Sequence, residues 1–86
     1  MRPAPHVGVI EDDSVVYVAQ LPDGPIMVLE TGSAAVWQAA CSGPQETITE
    51  RVAALTGEAG HEIQPYVEAF LSELLRRGLL APQPPG

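Results

Sequence analysis

The chain has 86 residues, with eleven Asp and Glu against four Arg and no Lys, a net charge of −7, and a single cysteine. That length fits one domain, and 45% hydrophobic residues allow a core built mainly of Val, Leu, Ile and Ala. The acidic balance weighs against nucleic acid and anionic membrane as partners, because both require a basic footprint. The lone Cys41 rules out an internal disulfide and a cysteine-based zinc site, and reads as a small buried helix residue.

Residues 1–6, "MRPAPH", carry two prolines and are expected to form a flexible arm. The segment "VGVIEDDSVVYVAQL" predicts two strands, Val7–Glu11 and Val15–Leu21, around the acidic turn "EDDS". "PDGP" predicts a second turn, and "IMVLE" (Ile26–Glu30) a third strand with Pro25 at its start, where a strand tolerates proline. Only helical patterns follow, so the far edge of "IMVLE" has no evident partner in the chain.

"TGSAAVWQAACSG" predicts a first helix, capped by Thr31 or Ser33, with Val36, Trp37 and Ala40 inward and Gly43 and Pro44 as the stop. "QETITERVAALTGEAG" predicts a second. Thr47 and Glu50 fit a capping box, and Ile48, Val52 and Leu55 share one face. "HEIQPYVEAFLSELLRRG" predicts a third, with Pro65 in its first turn. Ile63, Val67, Phe70 and Leu74 form its apolar stripe, Arg76 and Arg77 suit the negative end of the helix dipole, and Gly78 ends it. Leu79 and Leu80 then fold back before a Pro-rich tail at 82–86. The expected domain, 7–81, is α+β and winged helix-turn-helix-like: a three-stranded antiparallel sheet followed by three helices.

Chemistry-bearing residues are sparse. His6 and His61 fall in the arm and in an inter-helix loop, neither spaced with a second metal ligand, and no P-loop, G-x-S-x-G or dinucleotide fingerprint occurs. The chain is therefore expected to be non-catalytic and to need no cofactor. "DSV" at Asp13–Val15 is similar to the attachment site of acyl carrier proteins, but Ser14 lies between strand-like runs and not at a helix start. A winged-helix DNA-binding regulator is the rival reading. It suffers from a third helix that carries Glu62, Glu68 and Glu73 against Arg76 and Arg77. "MRPAPHVGVI" lacks the apolar run of a signal peptide and no segment approaches a membrane span, so a cytoplasmic protein is expected.

The succession "YVAQLPDGPIMVLETGSAAVWQAA", "TITERVAAL" and "IQPYVEAFLSELLRRGLL", over about residues 9–81, resembles the PqqD-like proteins. These are the precursor-peptide recognition elements of ribosomally made, post-translationally modified peptides. The resemblance implies that the leader of a precursor peptide adds as a fourth strand, antiparallel to the third, in a groove against the third helix. The backbone of Ile26, Met27, Val28, Leu29 and Glu30 would then supply affinity. Tyr66, Ala69, Phe70, Glu73, Leu74 and Arg77 would line the helix side. A helical wheel also allows Phe70 and Leu74 to be core and the flank with Leu71 and Leu75 to be the exposed one. A Lys-free composition rich in Ala, Pro, Gly and Arg fits a GC-rich genome, and hence the lasso-peptide branch of the family. There the partner would be a separate leader protease of the same pathway. A pyrroloquinoline quinone peptide chaperone serving a radical enzyme is the alternative.

Overall fold

The computed structural model describes residues 1–82; the remainder of the expected Pro-rich tail lies outside the described residues. Five strands and three α-helices follow in order: β1 (Arg2–Pro3), β2 (Val7–Asp12), β3 (Val15–Gln20), β4 (Ile26–Glu30), α1 (Gly32–Cys41), α2 (Ile48–Thr56), α3 (Gly60–Arg76) and β5 (Leu80–Ala81). The architecture is the expected one, a three-stranded antiparallel sheet ordered β2-β3-β4 followed by three helices.

β-branched residues dominate β2 and β3, which pair from Val7↔Gln20 to Asp12↔Val15. The four-residue turn read from the sequence tightens to two, Asp13 and Ser14, with Asp13 in the left-handed region (φ 57°) that a short polar side chain tolerates. β3 pairs in turn with β4, from Val15↔Glu30 to Ala19↔Ile26. In the turn between them the Gly24 N–H donates to Gln20 O at 2.7 Å, and a Cβ on Gly24 would meet that oxygen at 2.6 Å. The alternation divides the sheet cleanly. Val16, Val18 and Leu29 are buried on one face, while Ile10, Tyr17, Ile26 and Val28 are exposed on the other.

The helices cover the buried face. α1 is enclosed nearly all round, with Ala34, Ala35, Val36, Trp37, Ala39 and Ala40 buried, and its alanines let α2 and the sheet approach closely. α3 places Ile63, Val67 and Leu74 in the core, with Phe70 packed half-buried against it. Its end is a Schellman motif: with Gly78 in the left-handed region (φ 73°), Gly78 N–H donates to Leu75 O at 3.1 Å and Leu79 N–H to Leu74 O at 3.0 Å. Leu74 and Leu79 are both buried, which supplies the apolar contact of that motif and turns Leu79 and Leu80 back into the core.

Several local expectations change. The arm at 1–6 is not free: Arg2 and Pro3 pair with Ala81 and Leu80, Ala4 N–H donates to Leu79 O at 3.0 Å, and the Met1 side chain is buried. The chain turned back after α3 needs backbone partners, and the arm provides them. Neither Thr31 nor Ser33 caps α1, and no Thr47–Glu50 capping box forms. Thr47 Oγ1 instead donates to Pro44 O at 3.4 Å and accepts from Arg51 Nε at 3.1 Å. Leu55 leaves the α2 face that buries Ile48 and Val52 and lies 61% exposed. α3 begins at Gly60, which moves Pro65 into the second turn, on the solvent side of the helix.

Arg51 carries the junction between α1 and α2. Its guanidinium donates to the carbonyls of Ala39 and Pro44 and to Ser42 Oγ, adding to the long backbone bonds that Ser42 N–H and Thr47 N–H make to the same two carbonyls at 3.4 Å. Replacing Arg51 with Met, which keeps most of the stem, is expected to lower stability by about 1.5–3 kcal/mol. Urea unfolding of the variant and the parent checks this, and an unchanged midpoint would show that solvent serves those carbonyls equally well.

Candidate functional site

The register of the sheet decides which backbone groups of β4 face outward. Leu21 N–H donates to His6 O at 2.7 Å, just beyond the pair Val7↔Gln20, so hydrogen-bonded pairs along β2 and β3 fall at His6–Leu21, Gly8–Ala19, Ile10–Tyr17 and Asp12–Val15. The alternate residues of β3, Val16 and Val18, therefore bond to Leu29 and Met27 of β4. The N–H and C=O groups of Ile26, Val28 and Glu30 point to the other side. Among the described residues no strand takes them up.

α3 runs antiparallel to that edge, tied near one end to the start of α1 and just past the other to β3. Tyr66 OH lies 3.0 Å from Ser33 Oγ, just beyond the end of β4. At the other end Gln20 Nε2 donates to Gly78 O at 3.3 Å, and Ile26, Met27, Arg77 and Leu79 line a cavity of about 330 Å³. Tyr66 and Phe70 stack in parallel planes with ring centroids 6.0 Å apart, forming an aromatic wall one turn long. Tyr66 also lines a cavity of about 680 Å³ among the three helices, whose apolar lining includes Ala35, Leu55 and Ile63 and whose acidic residues are Glu58 and Glu62.

The structure thus separates the candidate residues. Arg77 is brought beside Ile26 and Met27 of β4, and Tyr66, stacked on half-buried Phe70, stands beside Ser33 just past the other end of that strand. Leu74 is fully buried and Leu29 nearly so, and both belong to the core because they sit on the inward phases of α3 and β4. Met27 is half-buried beside Leu79. The side chains of Ile26, Val28 and Glu30 point to the outer face of the sheet and away from α3, while Ala69 is exposed and Glu73 partly so. Leu71 is half-buried and Leu75 exposed, so the second flank of α3 is only partly open. Ser33, Leu55 and Gln20 were not anticipated. Leu55 had carried a signal, since it lies at the outer margin of the α2 stripe.

Electrostatics at the Arg77 end are set by Glu73, which accepts from Arg77 Nε at 2.6 Å and from Arg76 Nη2. Hydrogen bonds from Arg76 and then Arg77 hold its carboxyl down from the ordinary 4.5 to about 2. A lowered pKa means that the carboxylate stabilises the fold above pH 4.5 and that this contribution is lost as pH falls towards 2. Glu73→Gln should accordingly be less stable than the parent at neutral pH, with the gap in urea midpoint closing by about pH 2. A gap that persists in acid would mean that the two arginines are not held by charge.

Other features offer less chemistry. A depression of about 600 Å³ between α1 and α2 includes Trp37, Cys41, Arg51 and Leu55 in its lining. Its polar groups are already engaged, Gln38 Nε2 with Glu11 Oε1 at 3.2 Å and Arg51 as described. Burial pushes the Cys41 thiol upward, away from the reactive thiolate. Among the described residues no three His, Cys, Asp or Glu side chains gather where they could hold a metal ion, and no helix is long and apolar enough to cross a membrane. No protein-family model, curated protein or solved structure matches the chain.

Proposed function

We propose that this protein binds the leader region of a ribosomal precursor peptide by strand addition at β4 and presents it to a separate leader protease, as in lasso-peptide biosynthesis. The observation that carries the reading is the edge itself. Three residues of β4 turn their N–H and C=O groups to the open side of the sheet. There Arg77 shares a cavity with Ile26 and Met27, and the Tyr66–Phe70 stack of α3 stands near the end of the strand. Main-chain hydrogen bonds along such an edge give affinity with little sequence preference, and side-chain contacts across the groove select. Pro22 and Pro25 precede the strand and Glu30 ends it, which shortens the template available for pairing between copies.

The role is non-catalytic, free of cofactor and cytoplasmic. Binding both substrate and protease would raise the local concentration of one at the other. A DNA-binding role finds no support in α3, where both arginines are committed to Glu73. Neighbouring reading frames distinguish the pathways: a transglutaminase-like protease and an asparagine-synthetase-like cyclase for a lasso peptide, or a radical enzyme for the pyrroloquinoline quinone alternative.

Fluorescence anisotropy with the leader of a neighbouring encoded precursor tests the proposal. Saturable binding is expected, weakened at least about tenfold by Tyr66→Glu and much less by Tyr66→Phe, which keeps the stack. Tyr66 is 46% exposed, so neither change enters the core. Equal affinity for the parent and Tyr66→Glu would move the site away from α3.

A further inference from the structure

The sheet has a second exposed feature, independent of the groove. On its outer face Ile10, Tyr17 and Val28 form one cross-strand row, and Ala19 and Ile26 lie in the next, where Leu21 folds over Gly8. Among the described residues, five of the eight large apolar side chains that are exposed lie here: Ile10, Tyr17, Leu21, Ile26 and Val28. A small protein with little apolar surface to spare leaves such a contiguous strip uncovered where something docks.

The charges around the strip specify what docks. Residues 7–30, which build the sheet and its turns, contain five carboxylates and no Lys, Arg or His. Asp12, Asp13 and Glu30 stand at one end of the strip and Asp23 at the other. A second copy brought face to face would set these carboxylates against their equivalents, on chains that each carry −7. The face is also small. Three strands spaced about 4.8 Å apart and about 20 Å long span roughly 300 Å², well below the ~800 Å² per partner of a stable interface. Size and charge both disfavour a homodimer and fit a transient contact with a different, oppositely charged surface.

We infer that the outer face of the β2-β3-β4 sheet is a docking surface for a second protein that offers an apolar strip flanked by Lys or Arg. The apolar rows supply the desolvated centre, and the carboxylates at both ends orient the partner and speed its encounter. This surface lies on the opposite side of the sheet from the helices, so a partner seated there leaves the aromatic wall of α3 free.

The test uses the whole protein, labelled with ¹⁵N, and two designed amphipathic helical peptides. One carries a Leu stripe flanked by Lys; the other is identical except for Glu in place of each Lys. Titration with the Lys peptide should shift the amides of Ile10, Tyr17 and Val28, saturate, and weaken as salt rises. Ile10→Thr with Tyr17→Thr, which keeps strand-forming side chains at two exposed positions, should weaken it at least tenfold. Tyr66→Glu should leave it unchanged, which separates this surface from the groove. Three outcomes would overturn the inference: equally tight binding of the Glu peptide, shifts confined to α3, or concentration-dependent dimerisation of the protein alone that the double variant abolishes.

Discussion

Val28→Pro is expected to abolish strand addition while leaving the domain folded. The Val28 N–H points to the open edge, so a proline ring there removes no bond to β3 and is tolerated as in other edge strands. It removes a donor for an incoming strand and places Cδ where that strand must lie, so leader affinity should fall at least about tenfold, or 1.4 kcal/mol. The neighbouring position behaves oppositely. Met27 N–H belongs to the Val18 pair, and Met27→Pro breaks the ladder and should unfold β4. Circular dichroism and anisotropy on the two variants check the contrast. A Val28→Pro protein that is folded and binds normally would exclude the edge as the site.

Trp37→Ala is expected to carry the largest stability cost in the chain. Trp37 is the single tryptophan and is 3% exposed. Truncating such a side chain costs about 3–5 kcal/mol, against roughly 4–13 kcal/mol for a whole domain of this size. Thermal melting should move down by about 12 °C or more. A ligand that binds only the folded form restores part of the loss, about 2.7 kcal/mol at one hundred times its Kd. A leader that raises the melting temperature of Trp37→Ala would therefore report binding without any label, and one that leaves it unmoved at saturating concentration would contradict the proposed role.

The fold was legible because its signals are periodic and redundant. Val16 and Val18, then Ile63, Val67 and Leu74, recur at spacings that only a strand and a helix can bury, and all five are buried. Gly78 was readable as a helix stop because few other residues adopt its backbone angle without strain. What failed was local competition for the same groups. Thr47 had the spacing of a capping box, but Arg51 claims its hydroxyl, and that arginine's targets, Ala39 and Pro44, are brought near by tertiary packing.

The candidate site was legible only in outline. Ile26–Glu30 could be named as a strand, but which of its residues turn outward depends on its register against β3 and on which residues of β3 are already taken up by β2, pairings between strands that the residue types along one strand do not fix. On α3 the wheel gave a stripe without its rotation, so Leu74 was grouped with Tyr66 although the core takes it entirely. Leu55 and Ser33 meet Tyr66 from other elements, a juxtaposition that one-dimensional spacing does not encode.

The pairing of β1 with β5 makes the domain portable. Arg2 and Ala81 face one another across two strands, so the first and last elements of the described domain stand side by side. A module whose ends meet in this way can be spliced into a surface loop of a larger protein without prying that loop apart. The same 80 or so residues can therefore stand alone or be carried as an insertion in a longer chain.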